Sequence, residues 1–211
     1  MAKAVYEKGD IDTAMRTFLY LARRMSRGKN KPFDMAFEIG EFLLAKNQSN
    51  DALYFFAIAF RDRSPEMLTG KYFAHMVKCL IDRKLFREAY AFLEEFASRS
   101  PQFAANKLQA PHTYFQNPAL LVLFVQVYIG MGRISSATTA LNMIVEGNHS
   151  NREKYLEPTK KLEQEVAKIR TKVDAGKVVD FVPGNPNVTI EAVIRRVLRE
   201  HPLDQFPPER I

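Results

Sequence analysis

Two side chains in this sequence have the spacing of paired metal ligands. His75 and Cys79 lie four residues apart, so a helix through them places both on one face. A structural zinc site needs four ligands, and the other histidines (His112, His149 and His201) are scattered along the chain. We therefore interpret Cys79 as a packed core residue and predict no metal and no other cofactor. The sequence contains neither a phosphate-binding loop nor a nucleophile motif, so we predict a non-catalytic protein without a small-molecule substrate.

A basic cluster is the second feature that could do chemistry. Its five cations are Arg23, Arg24, Arg27, Lys29 and Lys31. Cations this close together can contact phosphates or an acidic partner, and such binding weakens as salt rises. No aromatic residue is interleaved with them to stack on nucleic-acid bases. A solvated connection between two repeats is the alternative interpretation of this cluster.

The composition is that of a folded, helix-rich protein with a basic surface. Of 211 residues, 46% are hydrophobic and 26% are charged, and Gly is scarce. The 31 basic and 24 acidic residues give a formal net charge of +7, which favours acidic protein or nucleic-acid partners. A single cysteine allows no internal disulfide and indicates a reducing compartment. No apolar run is long enough to span a bilayer and the start is too polar for a secretory signal. We expect an intracellular location, in the cytoplasm or else in mitochondria or another organelle.

Four stretches of the chain align when one alanine is used as a register mark. These register alanines are Ala14, Ala52, Ala89 and Ala137. Each follows a turn-like sequence, and apolar residues recur four and seven positions later, which is one face of a helix. The residues at the four-residue offset are Phe18, Phe56, Leu93 and Leu141. The alanines are 38 (52 − 14), 37 (89 − 52) and 48 (137 − 89) residues apart, which suits a repeated two-helix unit.

A second helical pattern precedes three of the register alanines, at 35–44, 72–80 and 120–128. The run 120–128 is apolar enough for a buried strand, but the repeat register predicts a helix there. The longest interval holds about ten extra residues, which the turn-rich segment 101–117 supplies as a loop.

This pattern resembles the tetratricopeptide repeat family. The matching residues of the second unit are Ile39, Gly40, Leu43, Ala52, Phe56, Ala59 and Pro65. Those of the other units are Gly9, Ala14, Phe18, Ala89, Leu93, Pro101, Tyr128, Gly132, Ala137 and Leu141. Val77 replaces the family's glycine in the third unit, no proline follows the fourth, and the first helix of the first unit is short. The resemblance covers residues 1–149 and implies an α-α superhelix, or solenoid, of about four repeats.

The predicted organisation follows from this register. We expect a repeat array over 1–149, with units near 1–27, 33–66, 69–102 and 117–149. A charge-rich helix over 151–177 caps the array, since solenoids end in a helix with a polar outer face. The segment 178–211 holds a linker, a short amphipathic helix and a proline-rich tail. A helix of about 12 residues is marginal alone in water, so we expect it to dock on the chain's own helices rather than on a partner.

If the fold is a solenoid, the first helix of each unit lines a groove that binds a partner. The residues placed there are Phe37, Glu38, Glu41, Lys71, His75, Lys78, Val122, Leu123 and Gln126. This acidic, then basic, then apolar series suits a charged peptide or helix. Some family members bind the terminal carboxylate of chaperones there; Lys71 matches that clamp, but His75 and Glu38 stand where an arginine and an asparagine are needed.

We therefore predict a scaffold or adaptor subunit that binds other proteins of an intracellular multi-subunit assembly. The alternative is a helical-repeat RNA-binding protein or a ribonucleoprotein subunit, in an organelle or elsewhere in the cell. The stretch 132–147 is similar to the second helix of a pentatricopeptide repeat with its trailing glycine. Those repeats keep a period near 35 residues, whereas the intervals here reach 38 and 48.

Overall fold

A computed structural model describes residues 2–25, 35–62, 68–99, 112, 117–147, 152–174 and 188–205. In these residues the chain is all-α, as predicted, and contains no strand. The helices are α1 (Ala2–Glu7), α2 (Ile11–Met25), α3 (Met35–Ala45), α4 (Ser49–Asp62), α5 (Gly70–Asp82), α6 (Phe86–Ser98), α7 (Pro118–Gly130), α8 (Ile134–Glu146), α9 (Arg152–Asp174) and α10 (Ile190–Glu200). A short 3-10 helix, Pro202–Gln205, follows α10. The apolar run 120–128 lies within α7, which confirms the helix that the register predicted.

The same turn joins α1 to α2, α3 to α4, α5 to α6 and α7 to α8. Its central residue has a positive φ in every case: Gly9 (92°), Asn47 (60°), Lys84 (58°) and Gly132 (73°). In the last three turns the next N–H donates to a carbonyl five residues back, over 2.8–2.9 Å. These bonds satisfy carbonyls that a helix end would otherwise leave without a donor, and they define the Schellman motif. Each positive-φ residue stands five positions before a register alanine, so the backbone repeats with the sequence.

The residues assigned to the repeat core are all buried in the structure. They are Ala14, Phe18, Gly40, Ala52, Phe56, Ala59, Ala89, Leu93, Tyr128, Ala137 and Leu141. The N–H of each register alanine donates to the carbonyl four residues back, over 2.9–3.1 Å, and so begins the regular bonding of the second helix. A methyl side chain at this point lets the neighbouring helix approach closely.

The chain forms two compact units, and the division falls inside α5. Unit 1 contains residues 1–79 and 191–211. Within it, α1 packs on α2, α2 on α3, and α3 on α4. Phe18 lies edge-on to Phe42 and Phe55, with ring centroids 5.7 and 6.4 Å apart. A Cβ at Gly40 would lie 2.5 Å from the Phe56 ring, so glycine is what allows α3 and α4 to meet this closely.

Unit 2 contains residues 80–190. Here α7 packs on α6 and α8, and α9 packs on both α7 and α8. The Asn117 side chain caps α7 by accepting the Ala119 N–H at 2.9 Å, and Pro118 occupies the first turn. Leu162 and Val166 are buried on the inner face of α9, while its other described positions are mostly exposed. The predicted loop 101–117 lies outside the described residues apart from His112 and Asn117.

The last helix belongs to unit 1 although it follows unit 2 in the sequence. His201, at its end, lies 3.0 Å from Asp51 of α4, 150 residues away. The expectation that this helix docks on the chain's own helices is therefore confirmed. Most of the predicted linker 178–188 and the tail after residue 205 lie outside the described residues.

Candidate functional site

The predicted groove residues of unit 1 meet between α3 and α5. Glu41 of α3 contacts two side chains of α5: Lys71 Nζ is 2.7 Å and His75 Nε2 is 3.3 Å from its Oε1. The Lys71 side chain is 58% exposed, whereas Glu41 and His75 are 28% and 24% exposed. The acidic and basic parts of the predicted groove are therefore paired with each other rather than separate.

Aromatic rings hold this charged cluster in place. Phe37 stacks on Tyr72 with ring centroids 4.1 Å apart, and the Lys71 ammonium lies 5.1 Å from the Phe37 centroid. The His75 ring lies edge-on to Phe37, and also to Phe56, at 5.3 Å. Cation–π and aromatic pairs of this kind each contribute about 0.5–1.5 kcal/mol. Phe37 is itself only 5% exposed, so it supports the cluster and offers little surface to a partner.

Both ring nitrogens of His75 have polar neighbours in this arrangement. Its Nδ1 lies 2.8 Å from the backbone carbonyl of Lys71, and its Nε2 lies 3.3 Å from Glu41 Oε1. The ring is therefore held between the backbone of its own helix and the carboxylate on α3.

The other predicted groove residues lie around this cluster or on α7. Glu38 is half-buried and Lys78 is exposed. Val122, Leu123 and Gln126 are half-buried on α7, which belongs to unit 2.

The basic cluster is only partly within the described residues. Arg24 donates to the Tyr20 hydroxyl one turn earlier, and its guanidinium lies 5.6 Å from that ring's centroid. Arg23 is half-buried on the same helix. Arg27, Lys29 and Lys31 lie outside the described residues. The described part of the cluster therefore places one guanidinium against an aromatic ring, because Tyr20 precedes the cluster by one helical turn.

A buried polar cluster in unit 2 was not predicted. His112 Nδ1 lies 3.0 Å from the Tyr128 hydroxyl, and the Arg133 guanidinium lies over the rings of both Tyr90 and Tyr128, at 5.3 and 5.4 Å. Burial, and to a smaller extent Arg133, lowers the pKa of His112 to about 4. Burial likewise raises the pKa of Tyr90, of Tyr128 and of Glu94. Burial therefore disfavours the charged form of each of these groups.

Little in the sequence indicates this cluster. His112 stands alone in a turn-rich segment, and Arg133 precedes α8 at the position where the other repeats have Asp10, Gln48 and Leu85. One signal was present: Tyr128 is the tyrosine expected in a first helix, and a buried hydroxyl needs a partner. Its partner could not be assigned from spacing.

No group of three or more metal-ligating side chains occurs among the described residues. Within the same part of the chain, no helix is both long and apolar enough to cross a membrane. No protein-family model, no curated protein and no solved structure matches the chain.

Proposed function

We propose that this chain is a non-catalytic scaffold or adaptor of the tetratricopeptide type, built as a short α-solenoid. The observation that carries the proposal is the repeated turn with its buried alanine, which recurs four times at a fixed offset. A repeat unit of two helices cannot bury its apolar face alone, so repeats stack and create long surfaces. Such surfaces bind protein partners without the precise geometry that catalysis needs.

The binding face of this scaffold is the surface between α3 and α5. Lys71 is well exposed and the paired Glu41 and His75 remain about one quarter exposed, so both signs of charge face a partner. Exposed Lys78 extends the cationic side. The rings beneath fix these charges in position, which reduces the entropy that binding must overcome. We expect a partner peptide that carries charged side chains of both signs, with its acidic group next to Lys71 and Lys78.

The test is affinity capture from native extract with a matched pair of charge reversals. Lys71→Glu removes the cation and repels Glu41, whereas Lys168→Glu makes the same change at an exposed position of α9. The proposal predicts a set of proteins that survives RNase treatment, is retained by Lys168→Glu, and falls at least several-fold with Lys71→Glu. Equal capture by both variants would contradict the assigned face. A set lost on RNase treatment would support RNA binding instead.

A further inference from the structure

The outer face of α4 accepts a helix. Nine consecutive residues of α4, Ala52–Phe60, are at most 5% exposed, so this helix is buried on every side. Two residues after the register alanine, α2 has Arg16 and α8 has Thr139, both exposed. At the same offset α4 has Tyr54, which is 1% exposed. At this position α4 is covered, as is α6 with Ala91, whereas α2 and α8 face solvent.

The occupant is the C-terminal segment, which consists of α10 and the residues that follow it and is called the arm below. Its buried stripe is Val193, Ile194, Val197 and Leu198, followed by Leu203. Arg195 and Arg199 are exposed, on the side of the helix away from this stripe. Burying an aliphatic side chain contributes about 1.5–3 kcal/mol, so burial of this stripe stabilises the docked segment.

His201 gives the docking its specificity. Its ring stacks on Tyr54 at 4.5 Å, and its Nε2 lies 3.0 Å from Asp51 Oδ1. Its Nδ1 accepts the N–H of Leu203 at 3.2 Å, which folds the chain back after α10. The His201 side chain is 5% exposed and Asp51 is 29% exposed, so the pair closes one end of the docked helix. An apolar residue at position 201 would lose the polar contact with Asp51, and a non-aromatic one would lose the stack on Tyr54.

These contacts do not depend on which copy of the chain supplies the segment. α10 reaches unit 1 after the whole of unit 2, and residues 175–189 join it to α9. Fifteen residues span at most about 50 Å when extended. The arm of one molecule presents to a second molecule the same stripe and the same His201 that it presents to its own α4. Exchange of an identical element between copies therefore loses no contact.

We propose that the α4 face of unit 1 binds α10 of a second copy of this chain, so that two molecules pair by reciprocal exchange of their C-terminal segments. This pairing adds a self-association site to the partner-binding face proposed above and does not depend on it. In one molecule the tether holds the arm at an effective concentration of about millimolar, so the unexchanged form dominates in dilute solution. The exchanged form becomes the major one when residues 51 and 201 of the same molecule do not match, or when the protein concentration is high.

A charge-swap experiment tests the exchange. Asp51→Lys and His201→Glu each mismatch the arm and the face within one molecule. In an equimolar mixture, exchange pairs Glu at position 201 with Lys at position 51 in one contact and restores the native His201–Asp51 contact in the other. We expect light scattering to show a species of twice the monomer mass in the mixture at micromolar concentration. We expect single-chain mass for each variant alone and for the double variant, whose own arm and face match.

Two results overturn the proposal. One is a mixture of folded variants that keeps single-chain mass, and the other is an equal amount of dimer in either variant alone. If a single variant fails to fold, wild-type chains answer the same question. Molecules labelled at the N-terminus and molecules labelled at the C-terminus are mixed, and energy transfer is measured at millimolar concentration, where the proposal places the exchanged form. Energy transfer between the two labels is expected there, and its absence overturns the exchange.

Discussion

The stability of this protein should fall in mild acid because of one buried histidine. His112 is 2% exposed, its Nδ1 contacts the Tyr128 hydroxyl, and its Nε2 has no partner among the described residues. Its pKa is lowered from 6.5 to about 4 by burial, with a smaller contribution from Arg133. The folded state therefore prefers the neutral ring, and the unfolded state binds more protons at every pH between these two values.

The sign and size of the effect follow from that difference. Above pH 6.5 both states hold a neutral ring and the stabilisation is complete; it is lost as the pH falls towards 4. Each pKa unit corresponds to about 1.4 kcal/mol, so the loss is about 2 kcal/mol at pH 5 and about 3 kcal/mol at pH 4. His112→Gln keeps a hydrogen-bonding group for Tyr128 but does not titrate in this range.

Urea unfolding at pH 7.5 and pH 5 measures the free energy of unfolding of the wild type and of His112→Gln. The wild type should lose about 2 kcal/mol more than the variant between these pH values. Other titrating groups act on both proteins and cancel in the comparison. An equal loss in both proteins would refute the burial of a neutral His112.

Three further substitutions test the packing. Gly40→Ala places a Cβ 2.5 Å from the Phe56 ring and should destabilise unit 1 by about 1–3 kcal/mol, despite alanine's better helix propensity; an unchanged or raised melting temperature would argue against this close contact. Ala52→Arg forces charge and volume into a fully buried helix contact and should abolish cooperative unfolding, so a wild-type melting curve would refute the repeat register. His201→Ala removes the stack on Tyr54 and the bond to Asp51, and should speed proteolysis after α9; unchanged cleavage would show that these two contacts do not hold the arm.

The repeat register was predictable because it rests on local physics. A small residue is needed where two helices touch, and a turn is needed before it, so Ala14 and Ala137 stand five residues after Gly9 and Gly132. The same turn at Lys84 was less evident, because a lysine with φ of 58° carries no compositional signal. Helix ends agreed to within a few residues: α3 and α5 contain the patterns predicted at 35–44 and 72–80.

Contacts between distant segments were not predictable in the same way. The pairing of Glu41 with Lys71 and His75 joins two helices whose register was known, yet the sequence placed their charges in separate patches. The His201–Asp51 contact spans 150 residues, and no periodicity links them. One signal was available, since α4 is apolar around most of its circumference from Ala52 to Phe60. A helix of that composition needs cover on all sides.

Photo-crosslinking tests most directly whether the α3–α5 surface binds a protein. A photo-crosslinking residue in place of exposed Lys78 leaves the Glu41–Lys71 ion pair intact, and the same residue in place of Lys168 on α9 serves as the control. After irradiation in native extract, we expect a discrete protein adduct from position 78 that resists RNase and is absent from position 168. Adducts with RNA alone, or the same adducts from both positions, would contradict protein binding at this surface.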